Sequence, residues 1–191
     1  MKLHMISLAV AAAFAFTGTS ALAAMGKAEY KAEKDKVSAA YKADKKACDS
    51  QNGNAKDICK AEAKGKEKVA KAELEAQYKP SPANDAKVAK AKADAEYDVA
   101  KQKCEDMKGN DRDVCKKDAK AKHTAAKGEA KAEKAAAEKG ADSKAAMNKA
   151  KDAKEDTNDA QYAAAKERCD AMKGGDKDKC IADVKKRFGK S

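Results

Sequence analysis

The sequence has very little from which to build a thick hydrophobic core. It contains no tryptophan, and aromatic residues make up only 4% of its 191 residues. Leu74 is the only leucine after residue 23, and most of the 42% hydrophobic content is alanine. A chain of this length could form one ordinary domain, but a domain with a large apolar interior is excluded.

The chain also lacks the patterns of known catalytic and metal sites. No stretch resembles a nucleophile with its base, a phosphate loop or a dinucleotide-binding turn. His123 is the only histidine after residue 23, and ten residues separate the cysteines of each pair, unlike the closely spaced ligand pairs of zinc sites. The acidic residues near position 110 lack the spacing of a calcium loop. We therefore expect no enzymatic activity, no metal or other cofactor and no small-molecule substrate.

What the sequence does have is a repeat that includes every cysteine. A tyrosine is followed by a cysteine seven residues later and by a second cysteine eleven residues further on. The three copies are Tyr41/Cys48/Cys59, Tyr97/Cys104/Cys115 and Tyr162/Cys169/Cys180, with turn glycines at Gly53, Gly109 and Gly174. Because each cysteine pair is symmetric about its turn, the repeat predicts one disulfide across each of three helical hairpins.

Charged residues make up 39% of the chain, and lysine, glutamate and alanine favour long helices. We predict an all-α fold of three disulfide-stapled antiparallel hairpins in tandem, elongated or loosely bundled. The predicted helices span about 26–50, 55–77, 84–107, 111–138, 143–172 and 176–188. They form hairpin repeats at 24–79, 83–139 and 142–191. Disorder is the alternative far from the cysteines, and whether the hairpins pack together is left open.

The repeat also predicts local details of each hairpin. The turn glycine should end the first helix in a left-handed conformation, and the next residue should cap the second helix. The repeated tyrosines should cover the thin seam between the helices, although a ligand-binding row is the alternative. First-turn acids are predicted at Asp57, Asp113 and Asp178, and surface i,i+4 pairs at Lys45/Asp49, Lys101/Glu105 and Lys166/Asp170.

The first residues have the features of a secretory signal peptide. Lys2 precedes an apolar run over residues 5–16, and Ala21–Ala23 forms a cleavage signature. Cleavage near Ala23/Ala24 would remove residues 1–23 and leave no stretch apolar enough to span a membrane. An uncleaved membrane anchor is the alternative, although residues 17–20 interrupt the apolar run. We expect a periplasmic protein, since disulfides persist in that compartment.

Net charge is the main clue to partners. Removing residues 1–23 removes Lys2 and no acid, so the formal net charge falls from +11 to +10. A positive protein is attracted to anionic envelope surfaces such as lipid headgroups or lipopolysaccharide. The interleaved acids are equally consistent with a well-solvated surface that has little focused potential. Nucleic-acid binding is not expected, because the chain is exported and its lysines are mixed with acids.

Several features together resemble a known group of proteins. They are the signal sequence, the opening Tyr30–Lys34, the three repeats and the ending Arg187–Ser191. With them the chain resembles the small Ala/Lys-rich exported proteins of Gram-negative bacteria labelled cell envelope biogenesis or TolA-like, and its likeness to TolA is confined to the helical stalk. The resemblance implies an envelope-associated role.

We therefore expect a non-enzymatic periplasmic structural or interaction protein, with an envelope protein or an anionic envelope surface as partner. The alternative function is that of a stress-protective helical protein, either a holdase or a desiccation-type protectant. A thiol-redox protein is a third and less favoured class, because no C-x-x-C motif lies at a helix start.

Overall fold

A computed structural model describes residues 25–190, and these residues form six α-helices and no strand. The helices are α1 (Lys27–Ala47), α2 (Gly53–Tyr78), α3 (Pro82–Cys104), α4 (Gly109–Lys139), α5 (Lys144–Cys169) and α6 (Gly174–Phe188). The predicted all-α class is confirmed. The expected signal peptide, residues 1–23, lies outside the described residues.

The breaks between hairpins lie at residues 79–81 and 140–143, and α3 begins about two residues before its predicted start. Pro82 is the first residue of α3, and the Ser81 hydroxyl caps this helix by accepting a hydrogen bond from the Asn84 amide at 3.2 Å. Ser143 caps α5 in the same way through the Ala146 amide at 3.1 Å. These serines satisfy amides that have no partner inside their helix.

The six described helices form a single layer, and among them each helix packs only against its neighbours in the chain. Across residues 25–190, no helix contacts another that is more than one position away in the order. Helices α2 and α3 run antiparallel, since Asn54 meets Gln102 near one end and Glu75 meets Lys87 near the other. Neighbouring hairpins therefore pack together through α2/α3 and α4/α5, which the sequence had left open.

The interior of this layer consists of small side chains rather than large ones. The buried hydrophobic residues are Cys48, Ala63, Leu74, Ala93, Cys104, Ala119, Ala121, Ala130, Ala146, Ala164 and Cys169. Alanine surfaces allow neighbouring backbones to approach closely. Within the described part of the chain, no helix is long and apolar enough to cross a membrane.

Two glycines mark close approaches between hairpins. A Cβ atom added at Gly65 on α2 would lie 2.8 Å from the Cβ of Ala95 on α3. A Cβ at Gly128 on α4 would lie 2.8 Å from the Cβ of Ala153 on α5. Real Cβ atoms almost never come so close, so any larger residue would push the paired helices apart.

The first helix of each hairpin ends earlier than predicted. The α-helical residues stop at Ala47, Cys104 and Cys169 rather than near 50, 107 and 172. The backbone then forms a tighter turn. In all three hairpins, the amide three residues after the first cysteine donates a hydrogen bond to the carbonyl of that cysteine, as Met107 does to Cys104 at 3.1 Å. Such tighter turns are common at helix ends.

The turn glycines adopt the expected left-handed conformation, but they lie at the start of the second helix and not at the end of the first. Their φ angles are 57° at Gly53, 57° at Gly109 and 55° at Gly174, but each glycine opens the second helix instead of ending the first. The residues that precede them, in an extended conformation, occupy the cap positions, so Asn54, Asn110 and Gly175 are not N-caps.

The second helix of each hairpin begins about two residues earlier than predicted, so the predicted positions of the first-turn acids are wrong. Asp57, Asp113 and Asp178 lie one residue beyond the first turn, where Asp111 and Asp176 are found in α4 and α6. The Asn54 side chain instead joins two helices, because its Nδ2 donates to the Gln102 carbonyl of α3 at 2.7 Å. The same carbonyl also accepts a hydrogen bond from the Glu105 amide at 3.0 Å, so the bond from Asn54 uses its second lone pair.

Candidate functional site

The three predicted disulfides are formed, and each joins the end of one helix to the next. The Cα–Cα distances are 5.6 Å for Cys48–Cys59, 5.6 Å for Cys104–Cys115 and 5.7 Å for Cys169–Cys180. The first cysteine of each pair is 1% exposed or less. This burial favours a structural role, since reactive cysteines are partly exposed.

An acid follows the first cysteine in every repeat, and in every repeat it pairs with a lysine of the second helix. Asp49 meets Lys56 at 3.0 Å, Glu105 meets Lys116 at 2.8 Å, and Asp170 meets Lys177 at 2.8 Å. The predicted partners Lys45, Lys101 and Lys166 form no ion pair with these acids among residues 25–190, although their charges also lower the pKa values of Asp49, Glu105 and Asp170. The earlier end of the first helix turns these acids toward the second helix, where they bridge the turn.

Hydrogen bonds from these lysines lower the pKa values of Asp49, Glu105 and Asp170. We expect Lys177→Gln to return the pKa of Asp170 toward its ordinary value, because the bond from Lys177 is the largest cause of the shift. Lys166→Gln, which removes the lysine one helical turn earlier, is the control and should have a smaller effect. Carboxyl chemical shifts measured by NMR during an acid titration will distinguish the two. Equal effects would contradict the pairing across the turn.

Two of the three repeat tyrosines contact the partner helix through aromatic rings. Tyr97 stacks on His123 with ring centroids 4.5 Å apart, and Tyr162 meets Phe188 edge-on at 5.9 Å. Tyr41 is half-buried, and the corresponding position on α2 is Glu67. The seam-covering role thus holds for Tyr97 and Tyr162.

A cluster that the sequence did not predict joins α3 and α4, and it consists of Asp94, Tyr97 and His123. His123 is 9% exposed at its side chain, and its Nε2 lies 2.6 Å from the carboxylate of Asp94. Burial opposes ionisation of Asp94, but hydrogen bonds from Lys90 and His123 outweigh it and lower the pKa. Because this carboxylate is ionised at neutral pH, Nε2 of His123 is the donor. The ring of Tyr97 stacks on one face of the imidazole.

Sequence reasoning dismissed His123, although a simple count could have placed it. Tyr97 lies seven residues before Cys104, and His123 lies eight residues after Cys115. In antiparallel helices joined at the two cysteines, residues at similar distances from the bridge lie side by side. The same count pairs Tyr162 with Phe188, as observed.

Replacing Asp94 by alanine should destabilise the array by about 1–3 kcal/mol, because the buried His123 nitrogen would lose its acceptor. The lowered pKa adds a pH dependence: this stabilisation is present above the ordinary aspartate pKa and is lost as the pH falls through the lower folded-state value. Thermal unfolding at neutral and acidic pH tests both effects. Asp98→Ala is the matched control, since Asp98 pairs with Lys68 at an exposed position; an equal loss there would contradict the special role of Asp94.

Two grooves between helices differ sharply in chemistry. The groove between α2 and α3 measures about 640 Å³ and has an apolar floor that includes Val69 and Val99. Its charged rim carries both signs, with Glu62, Lys66, Glu73, Lys92, Glu96 and Lys103. The groove between α3 and α4 measures about 230 Å³, and its lining consists only of alanines and lysines. We call this second site the lysine groove; its lysines are Lys87, Lys90, Lys127, Lys131 and Lys134.

Comparison of this chain with protein-family models, curated proteins and solved structures finds no match. The resemblance to TolA-like envelope proteins therefore stays a prediction. No cluster of three or more His, Cys, Asp or Glu side chains in residues 25–190 is placed to hold a metal ion. The functional argument consequently depends on the array and its surfaces.

Proposed function

We propose that this protein is a non-enzymatic interaction protein of the periplasm that binds a partner at the cell envelope. The observation that carries the proposal is the open, single-layer arrangement of the helices. Within residues 25–190 each helix packs only on its chain neighbours, so both broad faces of the array are available to a partner. Tandem helical arrays commonly bind through such extended surfaces.

The disulfides support the compartment in this proposal. Three bridges hold an array whose interior is mainly alanine and cysteine. Small domains with thin cores commonly rely on disulfides in oxidising compartments. The positive charge of the chain supports attraction to the anionic surfaces of the envelope.

Protection of other proteins is the second candidate function, and the exposed methionines favour it. Met107 and Met172 lie at hairpin turns and are each 44% exposed, and Met147 is 55% exposed. Methionine is flexible and polarizable, so it suits surfaces that bind many different partners. Such a protein would hold unfolded clients without recognising one partner.

Crosslinking in intact envelopes, followed by purification of the full-length protein, separates the two functions. The interaction role predicts a saturable complex with a defined envelope component. The protective role predicts no such complex and a concentration-dependent suppression of aggregation for unrelated client proteins. If the protein shows neither a saturable partner nor an envelope-bound fraction, the proposed function is wrong.

A further inference from the structure

The groove between α2 and α3 has a floor that exposes mostly carbon. The floor residues are small or apolar, and they are Gly65, Val69, Ala70, Ala95, Val99 and Ala100. Val69 and Val99 are only half-buried, although proteins usually bury valine. The groove spans residues 62–73 of α2, a length of about 16 Å. Covering this floor with another apolar surface would remove its carbon from water and so stabilise the contact.

Charged side chains line both rims of the groove, and they lie opposite each other in pairs of opposite sign. Glu73 of α2 meets Lys92 of α3 at 2.8 Å. Glu62 and Lys103 also line the groove, and each lies eleven residues from its counterpart in that ion pair. Because the helices are antiparallel, both displacements run in the same direction along the groove. The pair Glu62/Lys103 therefore repeats the alignment of Glu73/Lys92.

Between these two pairs the signs are reversed. Lys66 of α2 and Glu96 of α3 line the groove, and each follows a residue of the close contact between Gly65 and Ala95. The order of charges along the groove is therefore negative, positive, negative on α2 and positive, negative, positive on α3. Since three acids and three lysines cancel, the rims offer no net attraction to an anion or a cation.

Among the described residues, only one of these three pairs is closed by an ion pair within one copy of the chain. Lys66 lies 3.4 Å from Asp44 of α1 instead of contacting Glu96. Glu62, Glu96 and Lys103 form no ion pair among residues 25–190. These charges remain free to pair with a partner that presents both signs beside an apolar surface.

A second copy of this chain presents the complementary order of charges. A half turn about an axis along the groove places α2 of one copy over α3 of the other at the same height. Every rim charge then faces the opposite sign, because α2 and α3 carry opposite orders. A half turn about an axis across the groove instead places α2 over α2 in reverse, where glutamate faces glutamate and lysine faces lysine. The charges therefore select the first arrangement.

We propose that two copies of this chain form a twofold dimer in which their α2/α3 grooves close on each other. The valines of the two floors meet at the centre, and the pairs Glu62/Lys103 and Lys66/Glu96 form between the copies. Twelve residues line the groove, fewer than the roughly 20–30 per side of a standard interface, so the dimer is reversible. This contact goes beyond the proposed envelope role and does not depend on it, since the opposite face of the array stays available.

Charge exchange between two copies tests this dimer with the full-length protein. Glu62→Lys places two lysines opposite each other, and Lys103→Glu places two glutamates opposite each other. Each variant alone should repel itself, because both symmetry-related contacts of the dimer become repulsive. An equimolar mixture of the two variants should dimerise, because each lysine of one copy then faces a glutamate of the other. Repulsion confined within one copy would not be relieved by mixing.

Matched control variants reverse the same charges on α6. Asp183 and Lys186 are exposed and form no ion pair within the described part of the chain, and α6 packs only on α5 among the described helices. The controls are Asp183→Lys and Lys186→Glu. Lys103 and Lys186 both lie in the last turn of their helices, so both reversals disturb the helix dipole in the same way. Circular dichroism verifies that all variants retain their helical content.

Sedimentation velocity over a series of protein concentrations measures the dimer dissociation constant. We expect each groove variant to raise this constant about 10- to 30-fold, because reversing one charge makes two attractive contacts repulsive. The mixture should return to within about threefold of the unmodified protein, and the α6 controls should change the constant by less than about twofold. High salt should weaken the unmodified dimer, since the rim pairs are exposed to solvent.

Three results would overturn the inference: an unmodified protein that stays monomeric up to about 1 mM, equal losses in the α6 controls, or a mixture that dimerises no better than the single variants. A monomer that loses a crosslinked envelope partner on Glu62→Lys would show that the groove binds another protein instead. An envelope partner retained by every variant would support the proposed function whether or not the dimer forms. A dimer without an envelope partner or envelope-bound fraction would refute only the proposed function.

Discussion

Replacing Cys104 and Cys115 by serine should lower the free energy of unfolding by about 3 kcal/mol, the chain-entropy value for a loop of this length. The loss should extend beyond the middle hairpin. Helix α3 also packs on α2, and α4 also packs on α5, so a loosened middle hairpin withdraws support from both neighbours. For a protein of this size, we expect the thermal midpoint to fall by about 6–12 °C.

Thermal unfolding followed by circular dichroism measures this effect, and the terminal hairpin provides the comparison. Serine at Cys48 and Cys59 should mainly loosen α1, because among the described helices α1 packs on α2 alone. If the middle variant instead lost about one third of its helix signal while the remainder unfolded as in the unmodified protein, the hairpins would be independent modules. Binding to the envelope partner, measured in parallel, would show whether recognition needs the ordered array.

Replacing Gly65 by alanine should destabilise the array, although the same change inside an ordinary helix stabilises it by about 1 kcal/mol. The new methyl group would lie 2.8 Å from the Cβ and 3.4 Å from the Cα of Ala95. Helices α2 and α3 must then separate, because the obstructing atoms are close to the backbone and cannot rotate away. Overpacking of this kind costs about 1–3 kcal/mol, so we expect the sign of the usual effect to reverse.

Two further variants identify the cause of this reversal. Gly175→Ala is the matched control, since a Cβ atom there meets nothing within 4 Å, and it should be neutral or stabilise by about 0.5 kcal/mol. The double variant Gly65→Ala/Ala95→Gly should recover stability relative to Gly65→Ala, because the second change removes the clashing methyl group. Chemical denaturation measures five proteins: the unmodified protein, Gly65→Ala, Ala95→Gly, the double variant and Gly175→Ala. Additive effects of the two substitutions would refute the close contact.

The predicted hairpins and disulfides depended on features close together in the sequence. Each cysteine pair spans only eleven residues around a glycine, and short loops have few alternative conformations. The same local reasoning misplaced the helix ends by about three residues. The backbone after Cys104 and its counterparts forms a tighter turn, which helix propensity alone does not predict.

The lysine groove and the Asp94–His123 bond were not predicted, because each joins residues from different helices. The bond joins residues 29 positions apart, and its prediction requires the relative height of two antiparallel helices. Predicting the groove also requires the rotation of each helix about its own axis. Counting outward from the disulfide gives the height, as Tyr97 and His123 show, but not the rotation.

The sequence by itself determined the helical class, the three turns and the pairing of the cysteines, since helix propensity and loop closure act over short stretches of chain. Only the tertiary structure decided that the hairpins join into one layer, and that they approach closely at Gly65 and Gly128. The physical reason is that alanine-rich helices present nearly identical faces. Which faces pack together is decided by a few glycines and a few charged side chains. Their effect appears only when the helices are placed side by side.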